Sequence, residues 1–216
     1  SMNLKEIVLD KIIEQGMLPL FFHHDKAESI AILRTLYQAG IRVFEFTNRG
    51  PEALAVFERL VATRDLEMPD LYLGIGTIKS VNEAQQFLQI GADFIVSPLV
   101  NPLVGSLVHE QRKLWIPGCM TPTEIYTAQE QEAALIKLFP ANILGPAFMS
   151  SIRDLFKGQK FMPTGGVEIE MDNLKAWFKS GVCAVGMGSK LIDPKDTSNL
   201  VENTQKALEF VAEARQ

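Results

Sequence analysis

Eight strand-like runs, each followed by a segment of helical spacing, predict an α/β protein: a single (β/α)8 TIM barrel with an extra N-terminal helix. Three observations carry this expectation. Apolar side chains alternate between a period of two and a period near 3.6 from end to end. No linker or low-complexity stretch interrupts the 216 residues, so residues 1–216 read as one domain. Glycines stand at the returns from helix to strand, where the chain needs a left-handed backbone.

The opening helix covers about Leu4 to Gln15. Strands are expected at Leu18–Phe22, Val43–Thr47, Leu71–Ile75, Phe94–Ser97, Leu114–Ile116, Leu135–Phe139, Lys160–Met162 and Cys183–Gly186. Between them, helical spacing recurs at Ile30/Leu33/Leu36/Tyr37, Val81/Ala84/Phe87/Leu88, Leu174/Trp177/Phe178 and Val201/Thr204/Leu208/Val211. Ser80-x-x-Glu83 and Thr121-Pro122-Thr123-Glu124 read as capping boxes, the second with proline at its first helical position, and Asn101-Pro102 follows the same logic. Gly40, Gly91 and Gly181 each follow a helix and precede a strand. A doubly wound open sheet would show a similar order of elements, but no G-x-G-x-x-G follows the first strand.

Composition narrows the function classes. With 47% hydrophobic and 22% charged residues, the chain has ordinary soluble-globular composition. A net charge of -5 without a basic cluster gives no footprint for nucleic acid. No apolar run approaches the ~18 residues that cross a membrane. The segment Ser-Met-Asn-Leu-Lys-Glu does not read as a signal peptide, and Ser1 reads as a tag remnant before Met2. Cys119 and Cys183 have no metal-ligand spacing and read as ordinary thiols in a reducing cytoplasm. His23 and His24 are adjacent, so on a strand they would point to opposite faces and could not share a metal; His109 has no partner nearby in sequence, and a surface or loop role is expected for all three. No metal site is expected.

Lys137 is the costliest residue to place, because it sits in the apolar run Ala133-Ala134-Leu135-Ile136-Lys137-Leu138-Phe139-Pro140. Desolvation lowers the pKa of a lysine and turns the ammonium into an amine that forms Schiff bases with ketones. Alternation puts Val43, Glu45 and Thr47 on one face of the second strand, with Phe44 and Phe46 opposite. If the two phenylalanines face the helices, Glu45 points into the barrel, and so does Lys137. The two are then either a buried ion pair, which contributes little stability, or a nucleophile with its acid/base. Arg49 at the same barrel mouth can clamp a carboxylate or be a solvated loop residue. Thr77 offers a hydroxyl at the end of the third strand. Pro163-Thr164-Gly165-Gly166-Val167 and Gly186-Met187-Gly188-Ser189-Lys190 follow the seventh and eighth strands, the usual phosphate site of this fold.

These segments come in a distinctive series. Glu45-Phe46-Thr47-Asn48-Arg49, Gly74-Ile75-Gly76-Thr77, Ser97-Pro98, Ile116-Pro117-Gly118, Thr121-Pro122-Thr123-Glu124, Lys137-Leu138-Phe139-Pro140-Ala141 and Pro163-Thr164-Gly165-Gly166-Val167 follow in order. In order and spacing the chain resembles, over nearly its whole length, the 2-keto-3-deoxy-6-phosphogluconate (KDPG) and 4-hydroxy-2-oxoglutarate (KHG) aldolases. The resemblance implies a class I, metal-independent lyase on a (β/α)8 barrel, cytoplasmic and usually a homotrimer. It would cleave KDPG reversibly to pyruvate and glyceraldehyde 3-phosphate, in the Entner-Doudoroff branch of carbohydrate metabolism, with no cofactor beyond a covalent Schiff base on Lys137.

By the same resemblance, Lys137 matches the Schiff-base lysine and Glu45 the acid/base. Arg49 and Thr77 match the pyruvate-carboxylate residues, and Phe139 the aromatic beside the lysine. Gly165, Gly166, Gly188 and Ser189 match the phosphate site. Thr164 matches a hydroxyl position tied to gluconate-type substrates, and Pro98 joins the substrate-binding set. Lys190 stands where the family usually has tryptophan; it would either add charge to the phosphate site or be solvated. Related readings are an aldolase for 4-hydroxy-2-oxoglutarate or for the 6-phosphogalactonate epimer. A non-catalytic phosphosugar-binding barrel is the rival from another class.

Overall fold

The computed structural model describes residues 3–216; Ser1, the expected tag remnant, lies outside them. Helix α1 (Leu4–Gln15) leads into β1 (Met17–Phe21), and strands then alternate with helices. The order continues α2 (Lys26–Gln38), β2 (Val43–Thr47), α3 (Ala53–Glu67), β3 (Tyr72–Gly76), α4 (Val81–Ile90), β4 (Phe94–Val96), α5 (Pro102–Glu110) and β5 (Leu114–Ile116). It closes with β6 (Gly118–Cys119), α6 (Pro122–Glu130), β7 (Leu135–Leu138), α7 (Ala141–Ile152), β8 (Lys160–Pro163), α8 (Met171–Lys179), β9 (Val185–Met187) and α9 (Leu200–Ala214).

The strands form two parallel sheets, one of six in the order β5-β4-β3-β2-β1-β9 and one of three in the order β6-β7-β8. The expected fifth strand, Leu114–Ile116, is β5 as read, and a further two-residue strand, β6, follows beyond Pro117, which has no N–H to give. Its carbonyl still accepts the Lys137 N–H at 2.9 Å. At the other edge of the smaller sheet, the Cys183 N–H donates to the Phe161 carbonyl at 3.1 Å, just ahead of β9.

Alternation sorts the core into two clusters. Phe44, Phe46, Ile136, Leu138 and Phe161 pack outward against helix residues such as Leu33, Phe57 and Trp177. Leu18, Val43, Phe94, Val96, Ile116, Leu135 and Met162 pack against one another inside, with Val8 and Ile12 of α1. Helix α1 sits across the strand starts: the Gln15 amide donates to the carbonyls of Met17 and Val43 at 2.6 and 2.9 Å. The strand ends on the far side are left for chemistry.

Local signals met different fates. Asn3 and Ser80 each complete a capping box, with Glu6 and Glu83. Thr121 caps α6, but the Glu124 carboxylate takes the Met120 N–H at 2.7 Å, so only half of that box forms. Gly40, Gly91 and Gly181 have φ of 109°, 126° and 110°, as their returns to strand require. The expected loop placement holds for His23 and His24, whereas His109 stands on α5. His23 and His24 lie beyond the end of β1, free of strand alternation, and their rings stack at 4.8 Å. His109 does have partners, the Lys5 ammonium at 2.8 Å and the Gln131 carbonyl at 2.9 Å, brought from distant sequence by the fold. Among the described residues no helix is long and apolar enough to cross a membrane.

Candidate active site

Glu45 and Lys137 are almost fully buried, at 1% and 6% exposure, on β2 and β7. Each stands two residues after a member of the inner cluster, Val43 and Leu135, so period two carries both to the interior face. Neither joins an ion pair among the described residues. Burial pushes the Lys137 ammonium below its ordinary value; Glu45 opposes this and Arg49 adds to it. Burial likewise pushes the Glu45 carboxyl above its ordinary value, against the pull of Lys137 and Arg49. Both shifts favour the uncharged form. The pair is thus disposed towards a free amine beside a carboxylic acid, a nucleophile beside a proton donor.

The Lys137 Nζ lies 4.4 Å from the centre of the Phe139 ring, which follows it at the end of β7. Above them opens a cavity of about 120 Å³. It brings together Arg49, Lys137, Phe139, Thr164, Gly165, Gly166, Gly188 and Ser189 from four separate stretches of chain, with Leu20, Val167 and Lys190 completing the wall. Glu45, Thr77 and Pro98 lie outside this lining. Glu45 packs against Gly76 on β3. Pro98 and Ser97 follow β4 and meet the backbone at Gly118, where a β-carbon would come 2.6 Å from the Ser97 carbonyl oxygen.

Two turns shape the distal wall. Gly165 and Gly166 have φ of 100° and 70°, and a β-carbon on Gly166 would fall 2.6 Å from that of Asn142. Only glycine fits there. The carbonyls of these turns are tied back: Gly165 accepts from Asn142, and Gly188 from Leu191 and Ile192. The N–H groups of Gly166, Val167, Ser189 and Lys190, by contrast, donate to no protein acceptor among the described residues. Free N–H groups on two turns that line one cavity are able to accept an anion.

Arg49, exposed, reaches the cavity from the loop after β2. Thr77, just after β3, holds φ of 59°, a left-handed backbone that a β-branched residue rarely adopts. Sequence reasoning missed the connection between these two loops: the Asn48 amide donates to Glu83 at 2.9 Å. The only local hint was the place of Asn48 beside Arg49. It also missed Thr47 and Ser97, buried hydroxyls that, like Thr164, have no hydrogen-bond partner among the described residues. The inward parity of Thr47 with Glu45 was a signal that could have found it. Among the described residues no three His, Cys, Asp or Glu side chains gather as a metal site.

Comparison with known proteins places this geometry. The family model "KDPG and KHG aldolase" matches residues 8–206. A 2-dehydro-3-deoxy-phosphogluconate aldolase from Treponema pallidum is 37% identical, the match spanning 66% of each chain. Two solved structures share the fold. The KDPG aldolase of Zymomonas mobilis with 3-phosphoglycerate has a TM-score of 0.81 at 24% identity, over 94% of this chain and 95% of that one. The KDPG aldolase of Legionella pneumophila, with pyruvate captured as a covalent carbinolamine, has a TM-score of 0.80 at 23% identity, over 95% and 97%. A chain matched by that family model over nearly its whole length, with a lysine and a glutamate buried on its interior face, belongs to the KDPG and KHG aldolase family.

Proposed function

We propose that the protein is a class I aldolase that cleaves KDPG reversibly to pyruvate and glyceraldehyde 3-phosphate through a Schiff base on Lys137. The observation that carries this reading is the buried Lys137–Glu45 pair, both groups shifted towards neutrality, beneath a cavity whose free N–H groups serve as a distal anion cradle. The Lys137 amine adds to the C2 ketone, and Glu45 gives its proton to the departing carbinolamine hydroxyl, so that water leaves and the iminium forms. The Glu45 carboxylate then takes the proton of the C4 hydroxyl. The C3–C4 bond breaks, its electron pair passes into the iminium, and the aldehyde departs. Glu45 returns the proton to C3 of the enamine, and hydrolysis releases pyruvate and the free lysine. The pyruvate found as a carbinolamine in the Legionella relative supports the first step.

Arg49 and the Thr77 hydroxyl hold the pyruvate carboxylate, the arginine by charge-assisted hydrogen bonds. Phe139 and Pro98 border the reacting carbons, and Thr164 faces the sugar chain. The turns at Gly165–Gly166 and Gly188–Ser189 take the phosphate. No metal enters this scheme, because the iminium is the electron sink. Borohydride reduction with pyruvate present tests it: a pyruvate-derived mass on the Lys137 peptide is expected, with turnover unchanged by EDTA. No adduct, or loss of turnover on chelation, overturns it.

We further infer that the two sheets close into one (β/α)8 barrel forming a single domain. The bonds from Lys137 to Pro117 and from Cys183 to Phe161 at the two seams support closure. A homotrimer is supported by exposed apolar side chains on consecutive helices, Leu103, Tyr126 and Ile143, and sedimentation would measure it. Two free cysteines fit a reducing cytoplasm.

A further inference from the structure

At the rim of the cradle a carboxylate stands where an anion is to bind. The Lys190 Nζ lies 3.2 Å from Glu168 Oε1, and both side chains are about half exposed, at 48% and 49%. Lys190 lines the cavity, and its own N–H is among the free donors of the cradle. Glu168 lies one residue past Val167, with its N–H held by the Asn173 side chain at 3.0 Å. Lys190 is followed by Leu191 and Ile192, both buried, whose N–H groups donate to the Gly188 carbonyl at 3.0 Å. The two backbones are therefore fixed, and only the long lysine side chain has room to change partner.

Three cations line the cavity, and they are not equivalent. Lys137 is shifted towards the neutral amine and is occupied by the covalent chemistry. Arg49 comes from the loop after β2, away from the two glycine turns. Lys190 alone carries a charge on the turns themselves, and Glu168 already occupies it.

We propose that Lys190 and Glu168 form an exchange pair that selects a dianionic distal group: Lys190 leaves Glu168 for the phosphate of the substrate. The assignment rests on the aldolase reading above. An exposed ion pair is a weak interaction, so breaking it costs little. A phosphate, with a charge between -1.5 and -2 and three acceptor oxygens, outbids one carboxylate for the ammonium and also fills the free N–H groups. A neutral hydroxyl cannot displace Glu168 and meets a closed pair. The Lys190 ammonium is thus what separates phosphorylated from unphosphorylated substrates, and Glu168 is its resident competitor.

The test compares kcat/KM for KDPG and for its unphosphorylated analogue in the parent, Lys190→Met, Lys190→Arg and Glu168→Gln. Inorganic phosphate is titrated against each variant by calorimetry. In Lys190→Met the phosphorylated-to-unphosphorylated ratio is expected to fall about tenfold through KM, and phosphate to bind about tenfold more weakly, the loss typical of one charge-assisted contact. Lys190→Arg retains most of the preference. Glu168→Gln raises the ratio and tightens phosphate a few-fold, because the competitor is gone. An unchanged ratio and phosphate affinity in Lys190→Met overturn the proposal, as does weaker phosphate binding in Glu168→Gln. Phosphate titration reads the site without turnover, so a parent that binds phosphate but forms no pyruvate adduct refutes the aldolase chemistry and not the exchange pair.

Discussion

The carboxylate of Glu45 occupies the space that a β-carbon on residue 76 would fill, across the seam between β2 and β3. In register Glu45 pairs with Gly74 and Thr47 with Gly76, so the Glu45 side chain leans one step towards the strand ends. A glycine at residue 76 is what lets a buried carboxylate reach the lysine's side of the interior.

Gly76→Ala is therefore expected to displace Glu45 with little loss of fold. Overpacking at one site costs about 1–3 kcal/mol, whereas a misplaced acid/base lowers kcat by roughly a hundredfold or more. Melting curves and kcat on KDPG measure the two effects. Retention of parental kcat would show that the carboxylate has another productive position.

The lowered pKa of Lys137 has a stability signature. Its folded pKa lies below the ordinary 10.5. Between those two values the unfolded chain binds one proton more than the folded one, so stability rises with pH across that window. Glu45 has the opposite sign: folded, it keeps its proton above the ordinary 4.5, and stability falls as pH climbs from there to the raised value. The Tm of the parent minus that of Lys137→Met should then increase with pH on the alkaline side and be flat below the lowered pKa. A difference that decreases there would mean that Lys137 is held charged by Glu45.

How much of this was legible from sequence depended on range. Period two needs no partner to be read, so the inward parity of Glu45 and Lys137 and the outward parity of Phe44 and Phe46 were visible in single strands. Sequence reasoning missed helix α3, although Ala53, Val56, Phe57, Leu60 and Val61 keep helical spacing; only the last member of that buried face, Arg64, satisfied by Asp93 at 2.6 Å, departs from an apolar stripe. Strand β6 has two residues, too few to show any period. The partners of His109, the Asn48–Glu83 bond and the Lys190–Glu168 pair join residues from separate loops and helices, and no local pattern encodes such meetings.

Thr77 separates strain from recognition. Its left-handed φ of 59° costs a non-glycine residue about 1–2 kcal/mol, so Thr77→Gly should be at least as stable as the parent once the entropy cost of glycine is offset. Thr77→Val keeps the strain and deletes only the hydroxyl. Both should raise the pyruvate concentration needed for borohydride trapping by roughly tenfold, the usual loss for a hydrogen bond to a charged group. Unimpaired trapping by Thr77→Val would remove Thr77 from the carboxylate site.

The Asn48–Glu83 bond ties the loop that carries Arg49 to the start of the helix that follows Thr77. Glu83 Oε2 accepts from the Asn48 amide at 2.9 Å, while Oε1 accepts the N–H groups of Lys79 and Ser80 at 2.9 and 3.1 Å. Arg49 is the residue after Asn48, and Thr77 lies two residues before Lys79. Asn48→Ala cuts the tie and leaves the α4 cap whole, so Arg49 loses its position without any change at the reacting atoms. The expected result is a several-fold higher KM for pyruvate in the condensation direction, with kcat and its pH profile unchanged. Glu83→Gln keeps one oxygen for the Lys79 and Ser80 N–H groups, and its amide can donate to Oδ1 of a flipped Asn48, so it should behave nearly as the parent. Glu83→Ala should add the loss of about 1 kcal/mol that follows removal of a helix cap. A fall in kcat at constant KM in Asn48→Ala would show that this bond serves the chemical step and not the grip on the carboxylate.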